Sequence, residues 1–129
     1  MTPTTNTDGK TAASNQTEIE LIDLILSVLD DAKAEDIVSI DIREKSGIAD
    51  FMVVASGRSN RHVGAIADQL SRAMRENNFG KPKMEGANQC DWVLVDAGDV
   101  IVHLFRPEVR EFYNIEKMWA ADFSPESTH

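Results

Sequence analysis

From Thr17 onward the apolar residues fall into repeats that separate helices from strands. Leu21, Ile22, Ile25, Val28 and Leu29 recur at helical spacing and give one apolar face to a helix ending near Lys33. Thr17 and Glu20 stand three residues apart, the spacing at which two side chains satisfy the free amides of a first turn, so the helix is expected to start there. Over residues 37–43 the pattern becomes an alternation. Val38, Ile40 and Ile42 point one way and Ser39 and Asp41 the other, as in a half-buried strand. Ser46-Gly47 marks a turn, and the unbroken apolar run 51–55 suits a central strand covered on both faces. Gly57 ends that run. Ser59 or Asn60 can cap a second helix, whose buried stripe is Val63, Ile66, Ala67, Leu70 and Met74 and whose stop is Asn77-Asn78 with Gly80. A short strand is expected within 81–85. Residues 92–95 and 100–105 are strand-like runs on either side of Asp96-Ala97-Gly98-Asp99, a tight hairpin in which Gly98 supplies the positive φ. Pro107 can open a last helix with Phe112, Ile115, Met118 and Trp119 on its apolar face and Glu111 and Glu116 outside. The order α-β-β-α-β-β-β-α predicts an α/β domain of the α+β type, a mixed sheet of about five strands flanked by helices.

Composition narrows the function classes. The 129 residues suit one domain, and an apolar fraction of 42% supplies a core. Residues 1–16 offer no apolar face and are expected to form a disordered tail, 17–121 the folded domain, and 122–129 a frayed end. A net charge of −9, from 22 acidic and 13 basic residues, argues against direct binding of free nucleic acid, which needs cations to neutralise phosphates. It favours a basic protein partner, because opposite fields speed encounter. Cys90 is the only cysteine, which excludes an internal disulfide and a multi-cysteine zinc site, and its neighbours Asn88, Gln89 and Asp91 offer no cation to activate a thiolate. No apolar run is long enough to span a bilayer and the first residues lack a signal-peptide pattern, so no membrane role and a cytoplasmic location are expected. No cofactor is called for.

Four groups of residues could carry chemistry. The stretch 84–105 holds Glu85, Asp91, Asp96 and Asp99, no Lys or Arg, and the indole of Trp92, a composition that fits a binding face for a basic protein. Trp92 and Leu94 share one side of their strand; either they face outward or they face the core, with Val93 and Val95 half exposed. The partner of His103 depends on the hairpin. A two-residue loop at Ala97-Gly98 sets it opposite Trp92, and a three-residue loop ending at Gly98, which Ala97 favours because it takes positive φ poorly, sets it opposite Asp91. His103 could then serve as an interface residue, a structural hydrogen-bonding group or a base. Asp96 and Asp99 could hold Mg²⁺, but flanking Leu94 and Ile101 break the carboxylate pattern of a two-metal site, and turn-forming, solvated acids account for them better. Ser56 to His62 joins a strand to a helix start and carries Arg58 and Arg61. It has neither the Gly-Lys-Ser/Thr of a P-loop nor GxGxxG, so helix capping accounts for it better than phosphate binding. Arg72 and Arg75 are expected on a solvated helix face with Asp68 and Glu76.

Six ordered segments resemble a known family. They are Asp36-Ile37 with Asp41; the run from Ala49 through Phe51 to Ser59; Arg61-His62-Val63 with Ala65-Ile66-Ala67; Glu85-Gly86 with Trp92 to Asp96; Gly98 to Phe105; and Arg110 to Tyr113 with Ile115-Glu116 and Trp119. Together they closely resemble the ribosomal silencing factors, also called the Iojap family, over residues 17–121. The resemblance implies a fold related to nucleotidyltransferases without their catalytic machinery, hence no enzyme activity. It implies binding to ribosomal protein fourteen of the large subunit, steric blocking of subunit joining, and repression of translation when nutrients are short. It also implies that family members form homodimers. The partner-binding surface maps onto Trp92, Leu94 and Asp96, and is extended here to Asp99, His103 and Tyr113. Ala97 stands where many members carry Tyr or Leu in the turn, which removes an apolar contact at its tip. The alternative is a nucleotidyltransferase-like or phosphate-ester-binding enzyme that uses Arg58, Ser59, Asp96 and Asp99.

Overall fold

In a computed structural model of the chain, residues 9–45, 47–115 and 117 are described, with side chains from Thr17 onward. The elements in order are α1 (Gly9–Asp31), β1 (Glu35–Asp41), β2 (Phe51–Ser56), α2 (Asn60–Glu76), β3 (Lys83–Glu85), β4 (Trp92–Asp96), β5 (Val100–Phe105) and α3 (Pro107–Tyr113). Residues 1–8 of the expected tail, Ser46 of the expected turn, and Glu116, Met118, Trp119 and 122–129 lie outside the described residues. α1 begins at Gly9 instead of Thr17, so the Thr17/Glu20 pair sits inside the helix and does not cap it. Ala12, Ala13 and Gln16 are good helix formers, and intrinsic propensity extends a helix where no apolar face marks it.

Both long helices stop in the same way. Ala34 N donates to Leu29 O (2.9 Å) and Lys33 N to Asp30 O (3.0 Å), with Lys33 at φ 65. After α2, Phe79 N donates to Met74 O (2.8 Å), with Asn78 at φ 68. Each is a Schellman cap that satisfies the last carbonyls, built on Lys and Asn where glycine is usual. At the other end of α2, Ser59 is the N-cap, accepting from His62 N.

The five strands form one sheet in the order β1-β2-β5-β4-β3. β2 runs antiparallel to β1 and parallel to β5, so it is central, as its unbroken apolar run predicts. A register shift between Glu35 and Val38, with Asp36 at φ 51, bulges the start of β1. Side-chain alternation divides the sheet into two faces. α1 and α2 cover one of them, with Leu21, Ile25, Leu29, Val63, Ile66, Leu70 and Met74 packed on Val53, Ala55, Val93, Val95, Val102 and Leu104. The predicted α2 stripe is buried throughout. On the other face, Ile42, Ala49, Met52, Val54, Phe105 and Ile115 form a smaller cluster under α3.

Candidate partner-docking face

The hairpin register decides which side chains meet. Ala97 N donates to Val100 O (2.9 Å), so the loop is the two residues Gly98-Asp99, with Gly98 at φ +91 in the first loop position. Asp96 Oδ1 accepts from Gly98 N (2.9 Å) and fixes that turn. Neither expected register holds. Leu94 lies opposite His103, Trp92 opposite Phe105 and Asp96 opposite Ile101. Val93 and Val95 face the helices and are buried, whereas Trp92, Leu94 and Asp96 share the other face and remain partly exposed. Trp92 and Leu94 thus lie on the sheet face away from the two long helices, where Trp92 packs half-buried against the smaller cluster and Leu94 is partly exposed.

On this face Trp92 is the hub of a ring cluster. Its centroid is 4.8 Å from Phe105, 4.8 Å from Tyr113 and 5.8 Å from His103. The indole Nε1 donates to His103 Nδ1 at 2.9 Å. His103 is only 8% exposed, and burial pushes its imidazole down to a pKa of about 4. Tyr113 comes from α3 and is 51% exposed. Its neighbour Phe112, expected on the buried stripe, is 80% exposed and meets the Tyr113 ring edge-on at 5.0 Å. With α3 only seven residues long, Val109 and Ile115 reach the small cluster and Phe112 turns outward. Trp92, Tyr113, Val109, Asp91, Gln89 and Gly86 line a cleft of about 360 Å³ beside α3.

The charges around the hairpin are less free than the sequence implies. Asp91 accepts from Arg106 Nε (2.9 Å) and from Asn60 Nδ2 (2.8 Å), bracing the start of β4 against α2 and the head of α3. Lys83, just before the stretch that lacks bases, is the cross-strand neighbour of Asp96 in the β3–β4 register and lies on the same face. Asp99 turns away from the ring cluster. Its carboxylate gathers with those of Glu18 and Asp50, and its carbonyl accepts from Asp50 N (2.8 Å) and Phe51 N (3.1 Å). Glu18 is buried there, and a hydrogen bond with Asp50, burial and the neighbouring negative charges hold its pKa well above the usual carboxylate range, at about 7. Trp92, Leu94, His103 and Tyr113 therefore come together, Asp96 lies at the edge, and Asp99 belongs to another cluster.

The residues of the alternative enzyme reading are not assembled. Arg58 pairs with Glu35 (3.1 Å), Ser59 caps α2, and His62 is pinned by Arg58 N (2.9 Å) and Ala32 O (2.8 Å). These groups follow the end of β2, whereas Asp99 touches its start at Phe51. The length of that strand, about 17 Å, separates them. Arg72 pairs with Asp68 (3.0 Å) on the solvated face of α2, as expected. Cys90, at φ 59, donates its thiol to Ala87 O (2.9 Å) in the turn before β4.

The family described as ribosomal silencing factor during starvation matches residues 15–128. The chain belongs to that family. It is 50% identical over 108 residues to a ribosomal silencing factor of Zymomonas mobilis, covering 81% of each chain. A crystal structure of a protein from Chromobacterium violaceum superposes with a TM-score of 0.76 at 38% identity, over 78% of this chain and 84% of that one. A mouse protein named mitochondrial assembly of ribosomal large subunit protein 1 is 35% identical over 101 residues, covering 76% of this chain and 44% of its own length. Among the described residues, no helix is long and apolar enough to cross a membrane.

Proposed function

We propose that this ribosomal silencing factor acts in the cytoplasm by docking its open sheet face on ribosomal protein fourteen of the large subunit, where its bulk blocks subunit joining and represses translation. The observation that carries this reading is the half-buried indole of Trp92, packed by Phe105, His103 and Tyr113 on the sheet face away from the long helices. A rigid, partly buried aromatic beside exposed Phe112 and half-exposed Leu94 has the make-up of an interface hot spot. The net charge of −9 favours a basic partner, and ribosomal proteins are typically basic. Trp92, Leu94, His103 and Tyr113 form the centre of the docking surface, Asp96 its rim, and Asp99 a supporting residue at the hairpin tip. Steric exclusion requires no reaction, so neither a catalytic group nor a cofactor enters the mechanism. In the same reading the free domain forms a homodimer, which size exclusion with and without ribosomal subunits checks.

The test is sedimentation with isolated large subunits, with small subunits added as competitor. The domain is expected to pellet with large subunits, to exclude small subunits, and to bind more weakly as salt is raised. Pelleting that small subunits do not affect, or no pelleting at low salt, would overturn the proposal.

A further inference from the structure

The contact between Trp92 and His103 fixes more than a ring orientation. An indole N–H can only donate, so His103 Nδ1, 2.9 Å away, must accept and cannot carry a proton. The imidazole is therefore neutral, with its proton on Nε2. The His103 ring is held on its other sides by Phe105, stacked at 5.9 Å and 12°, and by Leu94 and Val54, its cross-strand neighbours in β4 and β2. Among the described residues, no side-chain nitrogen or oxygen is both sealed from solvent and without a partner. Nε2 has no partner among the described residues and is accordingly not sealed from solvent, although His103 as a whole is buried.

We propose that His103 is the positioning residue of the docking face: its Nδ1 locks the Trp92 indole in the orientation the partner meets, and its Nε2–H is left as a single donor for a carbonyl or carboxylate oxygen of that partner. This rests on the docking proposed above. The lock removes rotamer freedom before encounter, so less ordering remains when the complex forms. It also ties the start of β4 to the middle of β5, so that indole and donor are displayed at a fixed spacing.

Two variants of the full chain test this. His103→Leu keeps apolar bulk and removes the acceptor, whereas His103→Asn places an amide oxygen near the position of Nδ1. In wild type the Trp92 indole N–H is expected to exchange slowly with solvent, and long-range proton–nitrogen correlations should place the imidazole proton on Nε2. The Leu variant should lose indole protection and bind isolated large subunits about tenfold more weakly, the equivalent of one charge-free hydrogen bond and its ordering. The Asn variant should recover the protection and only the part of that affinity that the lock supplies, because it has no group in place of Nε2–H; full wild-type affinity in it overturns the donor role of Nε2–H. A fast-exchanging indole in wild type, or a proton on Nδ1, overturns the lock. Wild-type affinity in a folded Leu variant overturns the positioning role and leaves docking intact. If the wild-type chain itself fails to sediment with large subunits, docking is refuted and the role falls with it. Should the Leu variant not fold, the wild-type spectra and the Asn variant's affinity still decide the matter, and a fold lost in both variants overturns a role confined to positioning.

Discussion

Replacing Trp92 by alanine tests the ring cluster and the docking face together, provided the two effects are separated. The truncation removes ring contacts to Phe105 and Tyr113, each at 4.8 Å, and leaves His103 Nδ1 without its donor. Two aromatic contacts at about 1 kcal/mol each and one hydrogen bond at about 1 kcal/mol give a loss of about 3 kcal/mol. That is a large part of the roughly 5–15 kcal/mol that holds an ordinary domain folded. For a chain of this size it lowers the melting temperature by about 10 °C. Trp92→Phe keeps most of the stacking and loses the donor, so it should cost only about 1 kcal/mol. Thermal denaturation by circular dichroism gives the stabilities, and sedimentation with large subunits well below both melting points gives the binding. The alanine variant should stay folded there and lose most of its binding, with the phenylalanine variant intermediate. A melting point within about 3 °C of wild type would refute the packing argument. Full binding by the folded alanine variant would refute the role assigned to the indole.

Two titrating groups pull stability in opposite directions. Burial holds His103 down to about 4, so its stabilising share is whole above the ordinary value of 6.5, shrinks as pH falls toward 4, and reaches about 3 kcal/mol at most. Glu18 is shifted the other way, so its share is present below the ordinary carboxylate range and is lost as pH rises through its elevated value. Glu18→Gln should therefore raise the melting temperature at pH 8 and barely change it at pH 5; equal shifts at both would contradict the raised Glu18 pKa. Gly86, at φ +85, sits where an added Cβ would fall 2.2 Å from the Trp92 carbonyl oxygen. Gly86→Ala should cost more than about 1 kcal/mol in urea unfolding and weaken sedimentation with large subunits, because the backbone that carries Trp92 must shift. An unchanged unfolding midpoint would count against that crowding.

What the sequence conveyed followed from strong repeats. The α2 stripe, the double-sided burial of β2 and the existence of the β4–β5 hairpin were all legible, because period and turn residues agreed there. The hairpin register was not. Gly98 was expected to close the loop, but it opens it, since the Asp96 carboxylate captures Gly98 N. That single offset decides which residue faces His103, and a side-chain-to-backbone bond has no periodic signature. Phe112 escapes the pattern for a related reason: in a seven-residue helix, helical spacing fits more than one face, and Val109 and Ile115 take the inner one. The first turns of α1 have no periodic signature, because residues 9–16 carry no apolar stripe. The gathering of Asp99 with Glu18 and Asp50 joins three distant segments, which local patterns do not report.

The parallel pairing of β2 with β5 joins Phe51 to Val100 and Ser56 to Phe105, so the middle of the sheet cannot close until the last strand has been made. During synthesis the long helices and β1–β2 emerge first, yet the side of the sheet that bears Trp92 has no floor before Phe105 arrives and no cover before α3 follows. On the docking proposed above, a newly made chain does not present that face until β5 and α3 have both followed β4.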